Sequence, residues 1–185
     1  MKFLKIIFIF FISLNTTVKA DSKKNIIKNL KEGGKLIFIR HAYAPGGGDP
    51  ENFNIYDCST QRNLSKNGRI QSKKIGKFFR ENEIKIKNVY SSEWCRCKET
   101  ASLAFKNFES RNFLNSFFSP KFAHKREKQI LNFRNFLNKW DKKENLIFVT
   151  HYVVISELID YSATSGEIII TDDELKLIGS IATKY

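Results

Sequence analysis

Two histidines stand at the ends of matched apolar runs, Lys35-Leu36-Ile37-Phe38-Ile39-Arg40-His41 and Asn145-Leu146-Ile147-Phe148-Val149-Thr150-His151. A neutral imidazole offers a lone pair for attack on an electrophile, and a protonated one donates from both nitrogens. Beside the first histidine, the guanidinium of Arg40 adds a planar fork that fits the oxygens of an anion. Each run has the length of a strand buried on both faces. In an open α/β sheet the carboxyl ends of such strands face one crevice, so His41 and His151 are expected to share a site with Arg40.

A third stretch, Val89-Tyr90-Ser91-Ser92-Glu93-Trp94-Cys95-Arg96-Cys97-Lys98-Glu99-Thr100-Ala101, predicts a short strand that stops at the serines, an N-cap at Ser92, and a helix carrying Arg96 and Thr100 on one face. Together the three stretches resemble the histidine phosphatase superfamily, also called the phosphoglycerate mutase-like family. Its motifs are Arg-His-Gly, then Ser-Ser-x-x-x-Arg-x-x-x-Thr-Ala, then Thr-His-Gly after a strand. Here they read Arg40-His41-Ala42, Ser91 to Ala101, and Thr150-His151-Tyr152, so both motif glycines are replaced and the backbone there is expected to be less permissive.

The resemblance implies a fold and a chemistry. The fold is an α/β three-layer sandwich with a mostly parallel central sheet flanked by helices. In the chemistry His41 attacks phosphorus, the alcohol departs, and water hydrolyses a phosphohistidine. Covalent catalysis of this kind splits one hard displacement into two easier ones. Arg40 and Arg96 hold the phosphoryl oxygens, and His151 adds a donor when protonated. Arg62, in Arg62-Asn63-Leu64-Ser65, stands where relatives with an Arg-x-Leu-Ser/Thr pattern also carry an arginine and is a candidate substrate contact. No cofactor or metal is expected, since Cys95-x-Cys97 has the wrong spacing for a zinc knuckle and no histidine within a few residues. Cys58, Cys95 and Cys97 all fall near the site by the resemblance, so a disulfide from Cys58 to either of the other two is expected, leaving one thiol free.

The proton donor departs from the family pattern. Where many members place a glutamate two residues after a leucine, Leu114-Asn115-Ser116 offers only a serine. Asp49, Glu51, Asp57 and Glu93 are the nearby carboxyls. Asp57 is the expected donor, because its neighbour Cys58 is a candidate for tethering near Arg96.

The elements that must position these residues are legible in outline. Ser22 to Lys31 reads as a polar helix stopped by Gly33-Gly34. Tyr43 to Asn63, with Pro45-Gly46-Gly47-Gly48-Asp49-Pro50, reads as a long loop beside His41. Ser65 caps a helix to about Arg80, in which Gly68 and Gly76 permit close packing on the sheet. Phe108 to His124 is irregular, and His124 is expected to be exposed. Lys125 to Trp140 and Val153 to Tyr161 have helical spacing, Glu167 to Thr171 reads as a strand, and Gly179 to Thr183 as an edge strand.

At 185 residues the chain fits one domain, residues 21–185. Ahead of it, Met1 to Ala20 has the charged, apolar and small-residue regions of a cleaved signal peptide. The Ile6 to Leu14 core is short of the ~20 residues of a membrane span, so no stable membrane insertion is expected after cleavage. A periplasmic or secreted location follows. The net charge of +13 comes from lysines spread along the chain rather than clustered, which argues against a nucleic-acid partner and for a solvated surface that helps to steer anions. The expected function is a metal-independent phosphomonoesterase acting on a sugar phosphate or other small phosphate ester. A phosphohistidine or phosphoprotein phosphatase and a non-catalytic phosphate-binding envelope protein are the other readings.

Overall fold

The computed structural model describes residues 23–185; the leader expected at residues 1–20 lies outside them. Six strands form one mixed sheet: β1 (Leu36–Arg40), β2 (Ile86–Ser91), β3 (Glu109–Ser110), β4 (Asn145–Thr150), β5 (Ile168–Thr171) and β6 (Leu177–Ile181), in the order β3-β2-β4-β1-β5-β6. The pairs β1 with β4, β2 with β4, and β2 with β3 are parallel, whereas β5 runs antiparallel to both β1 and β6. The fold is therefore α/β as expected, with its antiparallel pairs confined to the β5 side.

Strand alternation splits the core into two layers, because neighbouring side chains point to opposite faces. Ile37, Ile39, Ile147, Val149, Ile168 and Ile170 pack toward α1 (Lys23–Glu32), α2 (Lys66–Glu81) and α3 (Cys95–Phe105). On the other face Leu36, Phe38, Leu146, Phe148 and Ile169 pack with Phe133 of α5 (Arg126–Leu137) and Val154, Ile155 and Leu158 of α6 (Tyr152–Ile159). Phe38, Phe133 and Phe148 are fully buried within one aromatic cluster. Each such side chain contributes about 1.5–3 kcal/mol by leaving water, and Phe148→Ala would cost about 3–5 kcal/mol with its cavity.

Two glycines of α2 set its position. Ser65 caps the helix by accepting from the Gly68 N–H at 3.1 Å. A Cβ on Gly68 would lie 2.1 Å from the Tyr43 carbonyl oxygen, and one on Gly76 would lie 2.1 Å from that of Ala104 in α3. Only glycine lets α2 approach the chain leaving β1 and the helix that carries Arg96.

Several boundaries differ from the sequence expectation. Ser92 does not cap α3: the helix begins at Cys95 with Trp94 at the cap position and no side-chain cap bond. The Phe108–His124 stretch contains β3, a 3-10 turn at Asn112–Leu114 and the single-turn α4 (Pro120–Ala123). The edge strand β6 sits two residues earlier than expected, at Leu177–Ile181.

Candidate active site

Strand register does the positioning. Arg40 pairs with Thr150 across β1 and β4, and Ser91 pairs with Val149 across β2 and β4. The next residues, His41 and His151, therefore leave the sheet at one level, with Ser92 one residue short of them, and the ladder continues through the His41 N–H to the Thr150 carbonyl and the Ser92 N–H to the Val149 carbonyl, both 2.9 Å. The two imidazoles meet edge to face with centroids 5.5 Å apart. They open on a cavity of about 350 Å³ that Arg40, Asp49, Arg62 and Arg96 also line.

Hydrogen bonds define the imidazole tautomers. His41 Nδ1 lies 2.8 Å from the Ala42 carbonyl oxygen, which only accepts, so Nδ1 carries the proton and Nε2 keeps its lone pair. Nothing among the described residues bonds Nε2. The Ala42 N–H in turn donates to Thr100 Oγ1 at 3.0 Å, and that hydroxyl donates to the Arg96 carbonyl at 2.7 Å. The second motif thus fixes the backbone on which His41 leans.

His151 sits in the opposite tautomer. An Arg96 Nη2–H, which only donates, lies 3.5 Å from His151 Nδ1, while His151 Nε2 is 2.9 Å from Ser92 Oγ. Ser92 passes its own proton to Asn115 Oδ1 at 3.0 Å. Ser92 is thus withdrawn from helix capping to hold an imidazole, a role its sequence position did not reveal. Burial, followed by the Arg96 charge, pushes both imidazoles well below the ordinary 6.5. Both shifts favour the neutral form in the free protein, which suits His41 for attack and works against the cationic His151 donor that the sequence reading allowed for.

Three guanidiniums face this neutral pair. Arg40 donates to the Ala163 carbonyl at 2.8 Å, and its Cζ lies 5.4 Å from the centroid of the Tyr152 ring. Arg62 donates to the carbonyls of Ala44 and Gly46, bracing the loop after β1. Arg96 makes a two-pronged pair with Asp49, Nη1 to Oδ1 at 2.7 Å and Nη2 to Oδ2 at 3.2 Å. In each arginine the Nε–H is buried without a hydrogen-bond partner among the described residues. Arg40, Arg62, Arg96 and Lys121 against the carboxylates of Asp49 and Glu51 leave an excess of positive charge in the cavity.

Asp49 was one of several loop carboxyls in the sequence, and the fold singles it out. Besides Arg96 it accepts from Trp94 Nε1 at 3.0 Å and from the Arg62 N–H at 3.1 Å. Burial raises its pKa, but the Arg96 hydrogen bond and charge, with these two donors, outweigh that and hold it below the usual 3.8. The expectation for Asp57 needs correction. Its carboxylate is exposed, accepts from the Ser59 N–H and hydroxyl at 2.9 and 2.7 Å, and caps the 3-10 turn Cys58–Thr60 outside the cavity.

The disulfide that motivated Asp57 is nevertheless present. Cys58 bonds Cys95, joining the end of the long loop to the first residue of α3, directly before Arg96. Cys97 is the free thiol; it is buried, and burial pushes it up to about 12, so it stays protonated and unreactive. The replaced glycines cause no strain, since neither Ala42 nor Tyr152 has a positive φ. Tyr152 opens α6 and supplies the ring beneath Arg40. His124 is exposed, as expected.

Comparison with known proteins agrees with this geometry. Residues 36–114, which carry His41, Arg62 and Arg96, match the model of the Histidine phosphatase superfamily (branch 1). No curated protein matches the chain. Among solved structures, the protein histidine phosphatase SixA in complex with tungstate aligns at 13% identity over 81% of this chain and 96% of its own, with a TM-score of 0.54. TTHB049 from Thermus thermophilus aligns at 13% identity over 80% and 99%, TM-score 0.56, and Rv3214 from Mycobacterium tuberculosis at 16% over 74% and 89%, TM-score 0.53. These likenesses establish the fold, which is phosphoglycerate mutase-like.

Proposed function

We propose that this protein is a phosphoric monoester hydrolase that works through a phosphohistidine on His41. One observation carries the reading: a neutral His41 whose only proton is committed to the Ala42 carbonyl faces a cavity shared with three arginines. A phosphate monoester carries close to two negative charges near neutrality, with three acceptor oxygens on phosphorus. His41 Nε2 bonds phosphorus as the ester P–O bond breaks, and water then breaks the P–N bond. Arg40, Arg62 and Arg96 stabilise the charge on the transferring group from fixed positions in a site of restricted water, where such electrostatics count most.

We further propose that the substrate is a small ester such as a sugar phosphate, in keeping with a cavity of about 350 Å³, and that the chain is exported and begins at Asp21 after cleavage. The Cys58–Cys95 disulfide suits an oxidising compartment. A phosphohistidine or phosphoprotein phosphatase is the second reading, favoured by a neighbouring groove of about 920 Å³ that shares Phe53, Trp94 and Phe122 with the cavity. Turnover of nitrophenyl phosphate by residues 21–185 without added metal, abolished by His41→Ala, is the expected result. A wild-type protein that binds phosphate but turns over neither small esters nor phosphohistidine peptides would make it a binding protein instead.

A further inference from the structure

We propose that Asp49 is the catalytic acid and base of the site, stored in the free protein as the counter-ion of Arg96 and released when a phosphoryl group takes that guanidinium. The inference rests on the phosphomonoesterase reading above and names the proton carrier that reading lacks.

Position comes first. Asp49 and Glu51 are the carboxylates on the cavity wall. Glu51 is exposed, with no hydrogen bond among the described residues, whereas the Asp49 side chain is only 16% exposed and grips Arg96, itself 4% exposed. Arg96 also reaches His151 Nδ1, so Asp49 lies one guanidinium away from the paired imidazoles.

Mobility comes second. Asp49 follows Gly46-Gly47-Gly48, in which Gly46 and Gly48 have φ of +91° and +76°. A Cβ built on Gly47 or Gly48 would meet nothing within 4 Å. Glycine here serves a turn of positive φ, and beyond Gly46, which Arg62 braces, no packing opposes a shift of the backbone that carries Asp49. Pro50 limits the chain on the far side, so a change at the glycines moves Asp49 as a unit.

Chemistry joins the two. The Arg96 fork that now holds a carboxylate fits phosphoryl oxygens equally well. A phosphoryl group that takes this fork removes the strongest interaction favouring the ionised carboxyl, and its own negative charge favours the proton on Asp49. Ester phosphates ionise for the second time near pH 6, so a bound ester readily brings that proton with it. In the first step the His41 Nε2–P bond forms, the P–O bond breaks, and the Asp49 proton moves to the leaving oxygen to give the alcohol. His41 keeps its Nδ1 proton on the Ala42 carbonyl, so the phosphoimidazole ring is cationic. In the second step water bonds phosphorus, gives a proton to the Asp49 carboxylate, and the P–N electron pair returns to His41. Phosphate then takes that proton from Asp49 and leaves as the monoanion, and the Arg96 pair re-forms.

The test compares kcat/KM, which reports the steps through phosphoryl transfer, for an alkyl ester (glycerol phosphate) and an aryl ester (nitrophenyl phosphate). An alkoxide needs its proton early and a nitrophenolate does not. In Asp49→Asn the alkyl value should fall on the order of a hundredfold, the low end of a general-acid contribution, and the aryl value by less than about tenfold. Tungstate, as an inert anion, should inhibit the variant at least as well as the wild type, because the fork of Arg96 is freer. Asp49→Glu should restore most of the alkyl-to-aryl ratio, and Glu51→Gln should leave it unchanged. Equal losses on both esters with weakened tungstate inhibition would show that Asp49 only props Arg96, and would overturn the proposal. A wild-type protein inert toward both esters would overturn the phosphomonoesterase reading itself, and Asp49 with it.

Discussion

The ring of Tyr152 lies beneath the guanidinium of Arg40, with Cζ 5.4 Å from the ring centroid. Tyr152 fills the place of a motif glycine, so the substitution adds a brace where the family pattern has no side chain. A cation–π contact to an exposed ring is worth up to about 1 kcal/mol. Tyr152→Ala should therefore raise KM for nitrophenyl phosphate roughly fivefold with a smaller change in kcat, since the ring holds an arginine without touching the reacting atoms. Steady-state kinetics decide this, and an unchanged KM would make the contact incidental.

Arg96 and Arg62 should differ in their effects. Arg96 joins His151, Asp49 and the carbonyl of Arg62, whereas Arg62 spends donors on the carbonyls of Ala44 and Gly46. Arg96→Ala should lower kcat/KM by about a hundredfold or more, the effect of losing about 3 kcal/mol of transition-state stabilisation. Arg62→Ala should cost less. Small and equal losses would place Arg96 outside the reacting centre.

Stability should fall on the acid side of neutrality. His41 and His151 both have folded-state values well below the 6.5 of the free group, so in the window below it the unfolded chain binds more protons than the folded one. Their contribution is complete above about pH 6.5 and is lost progressively as pH drops toward the lowered values. Carboxylates such as Asp49, held below 3.8, act further down the scale. Urea midpoints at pH 7.5 and pH 5 should therefore show the protein weaker at pH 5, and His41→Asn should reduce the difference. A flat profile would mean that the imidazoles titrate normally.

Much of this was legible in the sequence, for identifiable reasons. The apolar runs before His41 and His151 have only one way to be buried, so strands β1 and β4 were readable, and parallel register then forces the histidines together. Gly68 and Gly76 were readable as points of close approach, but their partners are the Tyr43 backbone and α3 rather than the sheet. What failed depended on loops. Asp57 looked close to the site because Cys58 is tethered to α3, yet a tether on one residue does not aim its neighbour's side chain, and Ser59 supplies Asp57 with local donors. Asp49 was one candidate among several, because three consecutive glycines leave its direction undetermined until Arg96 draws it in. Ser92 has the composition of a cap, but a buried imidazole at 2.9 Å offers a stronger demand for its hydroxyl.

The central claim is that His41 becomes phosphorylated during turnover. Rapid quench of residues 21–185 with a phosphate ester labelled in its phosphoryl group measures this directly. The expected result is label on a peptide containing His41, stable in base and lost in acid as a phosphoramidate is, and absent from His41→Ala, which also loses turnover. Wild-type turnover by His41→Ala, or label on any other residue, would contradict it.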